Sequence, residues 1–256
     1  MDLKPLKFLP SVLYFGLPAA LFVAGYWWLM PRLIERGILP YYAYMLGLGF
    51  PLVLLLLAAF VGLYLEGRQL NWPTIQERFR LKKMSKGDWL WSLGALLIGS
   101  LVGFLLVSAL SDWLLSMGLI PFPENLPDFL TPGFVEDPRQ IYEQAAGGLR
   151  GNWLLMSGMV VLFFFNIVGE ELWWRGLILP RQELALGKWT WVIHGIMWAF
   201  FHSFKWWDVL NLLPITLALS FVVCKRKNTT TGIVIHGVTN GIALIPLFLG
   251  VVGIIQ

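Results

Sequence analysis

Charge is scarce in this chain: Asp, Glu, Lys and Arg make up only 13% of its 256 residues, against 57% hydrophobic residues. With 14 Trp and 18 Phe as well, such a composition excludes a soluble globular domain. A single cysteine, Cys224, excludes an internal disulfide, so the chain carries no redox address. It has no HExxH zinc signature, no Walker loop and no glycine-rich dinucleotide loop. No small-residue cleavage site follows the first apolar run, which starts behind Lys4 and Lys7 and contains Pro18. An uncleaved first helix is therefore expected rather than a signal peptide. The net charge of +4 reflects biased loops and points to no nucleic acid.

What the chain does have is repeated apolar runs of about 20 residues, the length of a membrane-crossing helix. They predict an all-α polytopic membrane protein with about seven transmembrane helices, near 11–30, 41–65, 88–110, 153–175, 188–204, 209–223 and 232–254. Three regions follow: an N-terminal three-helix region (1–117), an extramembrane loop (118–152) and a four-helix core (153–256). Alternating the loops between two sides puts thirteen cations on one: Lys4, Lys7, Arg68, Arg78, Arg80, Lys82, Lys83, Lys86, Arg181, Lys188, Lys225, Arg226 and Lys227. Five fall on the other: Arg32, Arg36, Arg139, Arg150 and Lys205. Positive residues stay in the cytoplasm, so the N-terminus is expected inside a cell membrane and the C-terminus outside. Trp27, Trp28, Trp89, Trp91, Trp113, Trp153, Trp189, Trp191, Trp206 and Trp207 gather near span ends, as an interfacial belt does.

Several features have plain readings. The basic loop 66–86 is a topology determinant, or a surface lying on anionic lipid headgroups. The Pro-rich loop 118–151 is too long for a bare connector, and a short helix near 138–146 is expected to cap the bundle. Gly99 and Gly103 form a small-xxx-small pair suited to close helix packing. Asn228-Thr229-Thr230 matches a glycosylation sequon but falls on the cytoplasmic side.

The exceptional stretch is Gly169-Glu170-Glu171-Leu172-Trp173-Trp174-Arg175-Gly176, directly behind the apolar run 159–168. A charge at bilayer depth costs roughly 2.5–3.5 kcal/mol by insertion scales, so it is retained where it has a job. Glu171 and Arg175 are four apart, on one helix face and within ion-pair reach. Glu170 is turned by about 100° and faces elsewhere. A structural ion pair between helices accounts for Glu171 and Arg175 and leaves Glu170 unexplained. The three histidines, His194, His202 and His236, all follow the glutamates. His236 and Asn240 share one face, whereas His194 reads as interfacial.

Glu170-Glu171-x-x-x-Arg175, a helix ending in His202, and His236-x-x-x-Asn240 resemble the three motifs of the CPBP family. That family contains the type II CAAX prenyl endopeptidases and the bacteriocin-processing and self-immunity proteins, which are intramembrane glutamic proteases. The resemblance covers about 153–245 and includes Arg175-Gly176-x-x-x-Pro180-Arg181. Where the family usually has Phe four residues before the second-motif histidine, this chain has Trp198. The resemblance implies Glu170 as the base that activates water, His202 as a holder of that water, and His236 with Asn240 as oxyanion donors. Glu171 and Arg175 complete the set as an ion pair. Peptide hydrolysis requires these roles on independent grounds.

A zinc ion held by Glu170, His202 and His236 is the competing chemistry, without which no cofactor is expected. The expected activity is endoproteolysis of a membrane-associated peptide or protein, prenylated or a bacteriocin-like precursor, reaching the cytoplasmic half of the membrane. A non-catalytic immunity or scaffold protein that binds such a peptide is the alternative. A transporter is a third, disfavoured because no inverted repeat is visible. Membrane lipids are the remaining partners expected.

Overall fold

A computed structural model of the chain describes residues 3–121, 123, 126–131 and 143–254, and these contain helices and no strand. The helices are α1 (Phe8–Glu35), α2 (Pro40–Leu65), α3 (Trp72–Arg78), α4 (Lys86–Ser116), α5 (residues 153–186), α6 (Thr190–Phe201), α7 (Val209–Arg226), α8 (Thr229–Gly241) and α9 (Leu244–Val251). Their starts follow local chemistry. Pro40 opens α2 at a position whose N–H has no helical partner. Ser85 and Asp88 form a reciprocal capping box on α4. Asn152 and Asn228 accept from the first-turn amides of α5 and α8. Gly187, at φ +54, ends α5 in a conformation that a side chain would resist.

Four helical runs are long and apolar enough to cross a membrane: Phe8–Glu35, Pro40–Leu65, Lys86–Ser116 and the 74-residue run Trp153–Arg226. A fifth forms if α8 and α9, bent by 49°, act as one span. The all-α membrane architecture is thus the one expected, but the second half does not resolve into four separate straight spans. The run 153–226 is continuous, broken by the turn at Gly187 and by Lys205 at φ −122 and ψ 65. Within it α6 has 12 residues. That rises about 18 Å, short of a hydrocarbon layer of about 30 Å.

The molecule has two unlike ends. One gathers the segments 3–7, 66–85, 187–189 and 227–228, and all thirteen of the cations named first above lie toward it. Hydrogen bonds from Leu6 N to Arg181 O (2.8 Å), Thr229 N to Arg80 O (3.0 Å) and Lys82 N to Asn228 Oδ1 (3.2 Å) tie it together. The opposite, aromatic end gathers the connections after α1, α4, α6 and α8. There Trp27 Nε1 donates to Phe204 O (2.9 Å), Tyr42 Oη to Asn152 Oδ1 (3.1 Å) and Trp206 Nε1 to Pro121 O (2.8 Å). Gly151 N donates to Val251 O (2.8 Å), so α9 finishes at this end.

At the basic end, several cations have partners within the protein. Arg78 is 4% exposed and forks onto both Glu66 oxygens at 2.6 Å. It also donates to the carbonyls of Gly176 (2.6 Å) and Leu177 (3.1 Å), in the wide turns of α5. Arg80 and Lys227 pair with Glu183, and Arg226 with Asp88. The basic loop is therefore partly a structural clasp. Asn228 is buried and spends its side chain on capping, which is the role of the apparent sequon.

The glycine reading holds in half. A Cβ on Gly99 would press on Ile215 of α7, whereas Gly103 faces open space. A closer helix approach lies elsewhere: a Cβ on Gly25 of α1 would run into Gly47 O of α2. Trp207 is 3% exposed, buried near Trp27 and Tyr26, and so is no part of an interfacial belt. The short helix expected near 138–146 is described only over 143–146, which are helical; 138–142 lie outside the described residues. One apolar core runs across the N-terminal and C-terminal regions, joining Phe15, Phe22, Leu52 and Leu63 to Trp174, Trp198, Leu219 and Ile235.

Candidate active site

The two glutamates sit where α5 is locally widened, between π turns at Phe165–Gly169 and Leu172–Ile178. Such turns displace side chains from ordinary helical register and occur often at functional sites. Their carboxylates have opposite surroundings. Glu171 is fully buried, and its Oε1 accepts from Arg175 Nη1 (2.9 Å) and His236 Nδ1 (3.0 Å). It is the ion pair that the spacing predicts. Gly232 of α8 packs so close that a Cβ there would run into Glu171 Oε2.

Glu170 is 1% exposed, and no cation is paired with it among the described residues. Its Oε1 accepts from Asn166 Nδ2 (2.6 Å) and its Oε2 from Trp198 Nε1 (2.8 Å). Each oxygen is thus held by one N–H, and a carboxylate retains further lone pairs for a water. Asn166 and Trp198 are the participants that motif reading missed. The signal for Asn166 was available: an amide one helical turn before Glu170 in an otherwise apolar run. In the motif Trp198 is only a departure from Phe. Its indole N–H is something that no Phe can supply, and its ring carries the Arg175 guanidinium 3.5 Å from its centroid. One side chain therefore touches Glu170 itself and Arg175, the partner of Glu171.

Hydrogen-bond polarity fixes the remaining assignments. Because Asn166 Nδ2 donates to Glu170, its Oδ1 is the acceptor for Asn240 Nδ2 (2.8 Å). Asn240 Nδ2 also contacts His236 Nε2 (3.1 Å), which accepts, while His236 Nδ1–H donates to Glu171. The protonation state of His236 is inferred from these partners. An unbroken polar chain therefore links Glu170 to Glu171 through Asn166, Asn240 and His236. His202 Nδ1 lies 2.9 Å from Trp198 O, a carbonyl that only accepts, so Nδ1 carries the proton and Nε2 keeps a lone pair.

Glu170, His202, His236 and Asn240 all line one cavity of about 410 Å³, together with Asn166, Trp198, Thr216 and Thr239. All six residues singled out by the motifs meet here, with Glu171 and Arg175 packed behind the cavity wall. His202 reaches the same cavity because α6 is short and stops beside it, where a 3₁₀ stretch begins. The wall also includes Phe22 of α1 and Tyr41, Tyr44, Leu48 and Leu52 of α2, so the first two helices belong to the site.

His194 stands apart. It is buried rather than interfacial, with Nδ1 on Gln182 Oε1 (2.6 Å) and its ring edge on Phe15. The zinc arrangement is not assembled: His236 commits one nitrogen to Glu171 and the other to Asn240. Among the described residues, no group of three or more His, Cys, Asp or Glu is disposed to hold a metal ion.

Residues 152–242 match the family described as type II CAAX prenyl endopeptidase Rce1-like. The Rce1-like segment takes in the residues of the polar chain together with Trp198 and His202. A curated relative, the UPF0177 protein YaiF of Lactococcus lactis subsp. lactis (strain IL1403), is 32% identical over 53 residues. That similarity covers 21% of this chain and 24% of the relative, about a quarter of its length. No solved structure matches the chain.

Proposed function

We propose that this protein is an intramembrane endopeptidase in which Glu170 activates water. The observation that carries the reading is the division between adjacent carboxylates: Glu171 is spent on Arg175 and His236, while Glu170 faces the cavity with only N–H partners. The similarity of residues 152–242 to Rce1-like endopeptidases supports it independently. Water held between Glu170 and His202 Nε2 attacks the peptide carbonyl carbon and gives its proton to Glu170. The C–N bond then breaks, and Glu170 returns the proton to the leaving nitrogen.

The oxyanion is assigned to Asn240, which exchanges one of its present acceptors for the substrate oxygen. His236 in its present tautomer has no second N–H to offer, so its part is to orient Asn240 and tie it to Glu171. A donor of this kind is worth roughly 2.7–4 kcal/mol. The substrate is a peptide or protein segment at the membrane, and the mechanism requires no metal ligand set.

The test is incubation of the purified protein with a peptide library in lipid nanodiscs, beside Glu170→Gln, read by mass spectrometry. New pairs of termini that appear without ATP and vanish in Glu170→Gln support the reading. Peptides that bind equally to both proteins and return intact would instead make this a peptide-binding, non-catalytic protein.

A further inference from the structure

The cavity extends from mid-depth to the aromatic end. Its lining begins at mid-depth with Glu170, His236 and Leu219 and ends at Tyr41, Lys205, Asp208 and Leu244, in or beside the connections of that end. None of its lining residues comes from 66–85, 187–189 or 227–228, the connections of the basic end. That end is closed by the Arg78 clasp on the Gly176 and Leu177 carbonyls and by the Arg80–Glu183 and Arg226–Asp88 pairs. Of the described cations, Arg32, Arg36, Arg150 and Lys205 lie toward the aromatic end, against thirteen toward the basic end. The excess of Lys and Arg marks the cytoplasmic face.

We infer that the catalytic cavity is open to the extracytoplasmic side and takes its substrate from there. This reverses the expectation of a substrate reaching the cytoplasmic half of the membrane. The occupant is an apolar peptide segment. Tyr44, Leu48, Leu52, Phe163 and Leu212 line the approach, with only Lys205 and Asp208 carrying charge near the mouth. Lys205 Nζ lies 5.6 Å from the Tyr44 ring, so even this cation rests against an aromatic wall. The substrate part of the inference rests on the endopeptidase reading; the direction of opening does not.

The experiment places single reporter cysteines in the full chain, in a Cys224→Ser background, and adds a membrane-impermeant maleimide to intact cells. Lys205→Cys and, as a second mouth position, Asp208→Cys are expected to label fully without permeabilisation. Lys83→Cys is expected to label only after the membrane is opened. Labelling of both mouth positions only after permeabilisation, with Lys83→Cys labelled in intact cells, overturns the inference. If the labelling is as expected but no peptide is cleaved from either side, the direction stands and the endopeptidase reading falls. Cleavage by proteoliposomes of peptide supplied only on the Lys83 side overturns outward entry while leaving the enzyme intact.

Discussion

The two ends of this molecule use charge in opposite ways. At the basic end, charges are numerous and paired: Arg78 makes four hydrogen bonds, and Glu183 pairs with both Arg80 and Lys227. At the cavity, charge is sparse and the key carboxylate is left without a cation. Pairing suits a clasp, because an ion pair whose partners are fixed resists opening. Hydrogen bonding without pairing suits a base, because the carboxylate stays oriented yet free to take a proton. Changes at the basic end should therefore move stability and spare the chemistry, and changes at the cavity should do the reverse.

At the basic end the largest stability effect is expected from Arg78→Ala, which takes the bidentate partner from Glu66 and strands two buried carbonyls. Melting curves in detergent should show a loss of about 3 kcal/mol, with the turnover number of the surviving folded fraction unchanged. Gly232→Ala comes next, at about 1–3 kcal/mol for overpacking. It tests the boundary between the regions, since the new Cβ would run into Glu171 Oε2 and lies 3.1 Å from Val223. Turnover should fall with stability there, through displacement of His236.

Trp198→Phe sharpens the comparison from the other side. It keeps a ring under Arg175 and removes only the N–H to Glu170, a hydrogen bond to a charged group worth about 1.5–3 kcal/mol. We expect kcat to drop by about tenfold to a hundredfold, KM to change little, and stability to fall by no more than the worth of that one bond. A large fall in melting temperature with normal kcat would make Trp198 a packing residue. Lys227→Ala is the smallest change. Its side chain is 50% exposed, so loss of the Glu183 pair should cost less than about 1 kcal/mol.

Much of the site was legible because it is written in local spacing. Glu171 and Arg175 lie one helical turn apart, as do His236 and Asn240, and both pairs meet as that geometry requires. What spacing cannot convey is where separate helices meet. Arg78 reads as a surface cation until the carbonyls of Gly176 and Leu177, far along the chain, are seen to surround it. His194 reads as interfacial from its place near a span end, and is buried because Gln182 and Phe15 close over it. A full span over 188–204 would carry His202 toward its outer end; α6 has 12 residues and stops beside His202, which lines the same cavity as Glu170. The polar chain through Asn166 joins residues 74 apart in sequence, Asn166 and Asn240, so no single window of sequence contains it.

The central claim is that adjacent, nearly identical carboxylates do different work, and the direct test is to neutralise each in turn. Turnover of a cleavable peptide and thermal melting should be measured on Glu170→Gln and Glu171→Gln beside the wild type. The account predicts that Glu170→Gln melts like wild type and has no measurable turnover. Glu171→Gln should lose about 3–5 kcal/mol of stability, because Arg175 is left buried and unpaired. Turnover that survives Glu170→Gln, or a destabilised Glu170→Gln beside a stable but inactive Glu171→Gln, would contradict it.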